Sequence, residues 1–455
     1  MAFESINSHN PSEVIGRFEG AGPFDVEIAV VHAREAFFEW REQPASIRSD
    51  ALTNIAEDVE KWAEELVRLT VTEVGKPIGE ARAEVEEAGA ILRYYAQTVL
   101  APEGETYPAS RSKDWLITRR YPSGVCTLIA PWNFPVAIPA WKIASALGYG
   151  NTVVLKPAPA STVIAGTLAP IVARHPPEGV FQVVPGGTES GKLLVEHPDV
   201  AAVPFTGSIV GGRTVARQVV SRGAKIQCET GGQNPTVILA DADLDRAAET
   251  ITYAAMGYAG QKRTATTQVI AEAIVYEELR DRLVAAAEDL EVVDPGKETC
   301  QVGPMIEEDS RSSALEALAR SGGRILTGGE PLDRDGFYLE PTLVELEDPK
   351  DPLTQKEILA PVAALLKAGS AEDAVQIANG VRQRHVAAAF TNDLDQAMQF
   401  AGRLEAGLVR VNTATVGVDY RVPLEGTKDS GIGPEVQGLA ARDFYTETRV
   451  ISISP

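Results

Sequence analysis

Between residues 124 and 184, short apolar runs alternate with helical stretches, and this alternation limits the fold more than anything else in the sequence. Val125 to Ala130, Thr152 to Leu155 and Phe181 to Val184 are the short runs, with Ile138 to Leu147 and Val163 to Ala173 between them. Strands that read as continuous apolar runs are buried on both faces, so the rhythm predicts βαβ units and a parallel sheet covered by helices on each side. Ligands of such sheets bind beyond the carboxyl ends of the strands. A chain of 455 residues exceeds what one core organises, so two or three α/β domains are expected.

The first quarter reads as mainly helical. Ala29, Ala33, Ala36, Phe37 and Trp40 share one side of a first amphipathic helix, and Asp25 is placed to cap its first turn. Leu52, Ile55, Val59, Trp62, Leu66 and Leu69 then draw one apolar stripe, read as a single helix over 46–72 and stopped by Gly75 and Pro77. Pro102, Gly104 and Pro108, followed by the alternating Trp115 to Tyr121, predict an extended hairpin over 101–122. The alternating C-terminal run Arg449 to Ser454 has no strand beside it in sequence. It is expected to pair with a distant element or with another subunit.

Composition removes several function classes. A net charge of -22 opposes nucleic acid and anionic membrane surfaces as partners. Cys126, Cys228 and Cys300 form no CxxC pair and the five histidines are scattered, so neither a disulfide framework nor a metal site is expected, and a cytoplasmic location is. No uncharged stretch reaches the ~20 residues a membrane span needs. Gly186 to Lys192 has the GxxxxGK spacing of a phosphate-binding loop, but Leu193 stands where a magnesium-binding Ser or Thr is required, so it is read as a turn and a helix start. The GxGxxG fingerprint is also absent.

Four motifs carry a stronger signal because they occur in order. They are Ala130 to Pro135 (APWNFP), Leu155 to Ala158 (LKPA), Phe205 to Ser208 (FTGS) with Gly212 following, and Glu229 to Pro235 (ETGGQNP). With Glu357 to Val362 (EILAPV) and Pro423 to Gly431, the chain resembles the aldehyde dehydrogenase superfamily over nearly its whole length. The resemblance implies an α/β fold with a Rossmann-type cofactor domain at 1–100 and 123–228, and a catalytic domain at 229–440. A small β oligomerisation element is implied at 101–122 and 441–455, with a homo-oligomer, dimer or tetramer, as the assembly. It also implies NADP or NAD as cofactor. Lys156 and the Ser208 to Gly212 turn would meet ribose and pyrophosphate, Glu357 would hold the nicotinamide ribose, and Pro131, Trp132, Ala158, Pro159, Thr206, Gly207 and Leu359 would line the cofactor site. A helix start suits an anion because its N–H groups are unpaired and its dipole is positive there. Asn133 matches the oxyanion-hole amide and Glu229 the general base.

The departures from this pattern are concentrated at the reacting centre. Arg263 stands where the pattern has the nucleophilic Cys, and Gln268 where it has Arg. An arginine stays protonated and offers no lone pair, so it cannot attack a carbonyl. Pro159 occupies the place of a ribose-binding Glu, which tilts the reading towards NADP. Arg263 is expected either to pair with Glu229 or to bind an anionic substrate group or a carbonyl oxygen. A cation about 5 Å from an oxidised nicotinamide would cost about 3 kcal/mol at an effective dielectric of about 20, favouring the neutral reduced ring. Three readings remain at this level: an oxidoreductase working on a small-molecule carbonyl or imine without a covalent intermediate, a pseudoenzyme, and a non-redox enzyme using Glu229 and Arg263.

Overall fold

A computed structural model describes residues 2–454. The alternation between 124 and 184 forms as expected, with strands Val125–Ile129, Thr152–Lys156 and Phe181–Val183 joined by helices Ala137–Gly148 and Thr162–Ala173. The first two of these strands are buried at every position, which fits their continuous apolar sequence. They belong to a six-stranded sheet in the order Gly431–Ile432, Lys225–Glu229, Val200–Thr206, Val125–Ile129, Thr152–Lys156, Phe181–Val183. Only Gly431–Ile432 runs antiparallel to its neighbour. The chain moves outward from Val125–Ile129 on one side, then returns to continue from Val200–Thr206 on the other. Strand order therefore reverses between these two strands, and a crevice opens at their carboxyl ends.

A second sheet has seven strands in the order Arg324–Thr327, Thr342–Leu346, Val362–Ala368, Thr266–Glu272, Asn234–Ile238, Val386–Phe390, Leu408–Val411. All pairs are parallel except the first. Its buried residues form a hydrophobic cluster separate from the two that surround the six-stranded sheet.

The expected hairpin is present as Thr106–Tyr107 and Trp115–Pro122. The C-terminal strand Thr446–Ile453 pairs antiparallel with Trp115–Pro122 from Thr446↔Pro122 to Ile453↔Trp115, so its partner is a distant element of the same chain. It remains an edge strand, with Val450 71% exposed.

The single helix expected over 46–72 is two helices, Ala45–Lys61 and Ala63–Val74. The break falls at Trp62, whose φ/ψ of -97/10 leaves the helical region, and its indole is exposed while Leu52, Ile55, Val59, Leu66 and Leu69 are buried. Both halves of the stripe pack into one hydrophobic cluster. Gly75 ends the pair in the left-handed region at φ +65, its N–H donating to Val71 O. Asp25 accepts the N–H of Gly22 at 2.8 Å, one turn into helix Pro23–Trp40.

Candidate active site

The crevice predicted by the strand reversal is a groove of about 690 Å³. Ile129 and Ala130 lead from one strand into Pro131, Trp132 and Asn133 on its wall, and Phe205 and Thr206 lead from the other into Gly207 and Ser208. Lys156, Ala158 and Pro159 follow the neighbouring strand, while Arg263, Glu357 and Leu359 come from beyond the six-stranded sheet. Of the residues singled out at the site from sequence, Glu229 and Gly212 do not line it, nor does Gln268, which is buried with its Nε2 donating to Thr354 O at 3.0 Å. Gly212 serves packing, since a Cβ there would lie 2.6 Å from Thr230 Cγ2.

Ser208 caps helix Ile209–Ser221, its Oγ accepting the Gly211 N–H at 3.2 Å. The Gly212 N–H goes to Ser208 O, which leaves the N–H groups of Ile209 and Val210 unpaired at the helix start. Lys156 is buried, its Nζ donating to Pro157 O at 2.5 Å and Gly186 O at 2.7 Å, and burial pushes its ammonium down to about 8. Gly187 also lines the groove, and a Cβ there would meet nothing within 4 Å. A smooth glycine wall, open helix N–H groups and a lysine form a donor set that fits the ribose and phosphates of a dinucleotide.

The segment carrying Arg263 is held in strain. Tyr258 and Ala259 sit at φ 56 and 53, a left-handed pair costing about 1–2 kcal/mol per residue. Buried contacts compensate: Tyr258 Oη donates to Val74 O at 3.1 Å, and the fully buried Lys76 ammonium lies 3.8 Å from the Phe134 ring centre and 4.7 Å from that of Tyr258. Lys76 also pairs with Glu84, whose other oxygen accepts the N–H groups of Val136 and Ala137 at 2.9 and 3.0 Å. One buried pair thus fixes both the Asn133 loop and the turn before Arg263. Asn133 Nδ2 donates to Gln261 O at 2.8 Å, and Asn234 Nδ2 donates to Arg263 O at 2.8 Å.

Arg263 Nη2 lies 3.2 Å from Glu229 Oε2, with side-chain exposures of 10% and 2%. Arg263 Nη1, Glu229 Oε1 and Asn133 Oδ1 are buried without a hydrogen-bond partner. Lys142 and His385 face the same pair, each with a buried nitrogen that has no partner. Burial lowers the Lys142 ammonium to about 8, with Glu229 opposing the shift and Arg263 adding to it. Burial likewise lowers His385 to about 4, so its imidazole is neutral at pH 7. Glu357 is raised to about 7 by burial, eased by the Gly232 N–H it accepts at 3.0 Å and by Arg263. The arrangement can hold a carbonyl oxygen or a carboxylate against a guanidinium. Among the described residues no cysteine lines the groove; Cys126, Cys228 and Cys300 are buried, and burial raises each to about 12.

Sequence reasoning passed over three contributors. Lys142 had a visible signal, a lone charge within the apolar run 138–147. His385 gave no signal beyond being one of five scattered histidines. The rejected Gly186 to Lys192 spacing does fold as a turn into helix Thr188–Glu196, yet Gly187, Thr188, Gly191 and Lys192 line the groove.

The profile of the aldehyde dehydrogenase family matches residues 1–451. An alpha-ketoglutaric semialdehyde dehydrogenase of Bacillus subtilis strain 168 is 37% identical over 99% of this chain and 95% of its own length. A 2,5-dioxopentanoate dehydrogenase of Saccharolobus solfataricus is 32% identical over 98% and 95%. Among solved structures, an NAD-dependent aldehyde dehydrogenase from Sinorhizobium meliloti superposes with a TM-score of 0.97 at 31% identity, covering 100% of this chain and 92% of the other. A betaine aldehyde dehydrogenase from Staphylococcus aureus in complex with NAD+ gives 0.96 at 26%, covering 99% and 91%.

Proposed function

This chain belongs to the aldehyde dehydrogenase family, and on that premise we propose that it is an oxidoreductase that handles its carbonyl or imine substrate without a covalent bond to the protein. The observation that carries this reading is the buried Arg263–Glu229 pair, with Arg263 Nη1 unpartnered beside it; we take Arg263 to stand where the family's nucleophilic Cys would. A guanidinium cannot add to an aldehyde, but it can donate two hydrogen bonds to a carbonyl oxygen and stabilise the alkoxide formed from it. The cofactor we assign is NADP or NAD, held by Lys156, the Ser208 helix start and Glu357; when bound in its reduced form it supplies the hydride. A carbonyl reduced there would leave its oxygen as an alkoxide, which Arg263 would hold until solvent supplied the proton. Pro159 places no carboxylate at the ribose, which favours NADP.

Relatives named for alpha-ketoglutaric semialdehyde point to the substrate class, because that molecule carries a carboxylate. We assign this chain a small carbonyl compound with an anionic group, which the free edge of Arg263 would receive. We also assign the division at 1–100 with 123–228, 229–440, and 101–122 with 441–455, the last forming a homo-oligomer contact along the open edge of Thr446–Ile453.

The test is steady-state turnover with NADPH or NADH against a panel of carboxylated carbonyl compounds, with mass spectrometry of the intact protein. Reduction without any protein adduct is expected. Aldehyde oxidation through a trapped acyl-protein would overturn the proposal. One observation favours a second reading: Glu229, which matches the family base, is already engaged by Arg263. A chain that has lost turnover would bind none of the four cofactor forms and still assemble.

A further inference from the structure

A second cavity, of about 500 Å³, shares no lining residue with the groove. It lies between the corner of helices Pro23–Trp40 and Ala45–Lys61 and the sheet formed by Trp115–Pro122 and Thr446–Ile453. Its lining inverts the charge of the molecule. Six arginines face three glutamates there, in a chain whose net charge is -22. A cleft lined by an excess of one sign focuses the field and raises the local concentration of counter-ions.

Arg41 pairs with Glu42 at 2.9 Å and Arg120 with Asp443 at 2.6 Å, whereas the other four arginines on its walls are incompletely neutralised. Arg48 is buried and spends its Nε on Gly148 O at 2.8 Å and its Nη1 on Gln43 O, while its Nη2 stays 3.7 Å from Glu103. Arg119 has only the same carboxylate, also at 3.7 Å. Arg442 Nε is buried with no hydrogen-bond partner, 3.7 Å from Asp443. Arg449 lies with its guanidinium 4.2 Å from the Tyr121 ring centre, and among the described residues no carboxylate is within 4.0 Å of it. Tyr149 adds a buried hydroxyl without a partner. Planar guanidinium forks suit carboxylate and phosphate groups, and several forks around one cavity suit an anion carrying more than one charge.

We propose that this cavity binds a small multivalent anion, a di- or triphosphate or a polycarboxylate, independently of the nicotinamide groove. A long polyanion is excluded by the field of the whole chain, whereas a compact one is enclosed by the arginines and feels that field least.

The test is calorimetric titration of the full chain with inorganic pyrophosphate and, in parallel, with citrate, which separates the phosphate source from the carboxylate source. Titrations at ionic strengths of about 0.01 M and about 0.15 M, where the Debye length falls from about 30 to about 8 Å, read the electrostatic share. Saturable binding of one anion per chain is expected, weakening with salt and unaffected by saturating NADPH. The double variant R442Q/R449Q should weaken it about tenfold or more, as for the loss of charge-assisted hydrogen bonds. If R442Q disturbs the fold, R119Q/R449Q changes two exposed side chains and should weaken binding in the same direction. No saturable heat with either anion, competition by NADPH, or binding unchanged in the variants would each overturn the assignment.

Discussion

Replacing Glu229 and Arg263 singly and together tests whether they form one electrostatic unit. At 3.2 Å and an effective dielectric of about 20, their attraction is about 5 kcal/mol. Desolvation of both groups offsets most of that gain, so the pair as a whole adds little, whereas removing one partner strands a buried charge at about 3–5 kcal/mol. The lower end is expected here because each survivor keeps a distant opposite charge: Glu357 for Arg263, and Lys142 for Glu229. E229Q and R263Q should therefore each lose about 3 kcal/mol, and E229Q/R263Q about 1 kcal/mol or less, a coupling well above that of independent sites. The assay is the guanidinium unfolding midpoint of the four proteins compared at a common slope. Single losses below about 1 kcal/mol that add up in the double variant would refute the pairing and remove the argument that Arg263 replaces the thiol as a structural charge.

R263C should place a thiol beside Asn133 and Glu229; aldehyde-dependent reduction of NADP or NAD, abolished by iodoacetamide, is expected, and a labelled thiol without oxidation would mean that a thiol at this position does not suffice for the reaction. Glu357 is raised from 4.5 to about 7, so the stability linked to it is fully present below pH 4.5 and is lost as pH rises through about 7. Solvent screening of this half-buried group trims the ideal value of about 3 kcal/mol to about 2 kcal/mol, and E357Q should flatten the decline in unfolding free energy between pH 5 and 8 by that amount. Equal slopes for the two proteins would refute the burial argument. Because Pro159 lines the groove, P159E should weaken NADP about tenfold or more relative to NAD in calorimetry, through repulsion of the 2′-phosphate; an unchanged ratio would place that phosphate elsewhere.

The strand and helix alternation from 124 to 184, the stop at Gly75 and the Asp25 contact at the first helix start were legible in the sequence, because each depends on residues a few positions apart. Burial periodicity, left-handed backbone and unpaired N–H groups are local properties. The order of the motifs also fixed which residues approach the groove, since strand ends in such sheets converge on the point where strand order reverses. The sequence could state that Arg263 lacks a nucleophile's chemistry and could offer Glu229 as a partner, but it could not choose between that pair and a substrate group.

Only the tertiary structure decided that Arg263 meets Glu229, that Lys142 and His385 face them, that the last strand pairs with Trp115–Pro122, and that the stripe over 46–72 bends at Trp62. These features join segments tens to hundreds of residues apart. Their energies come from desolvation and packing, which exist only once the distant surfaces have closed on one another.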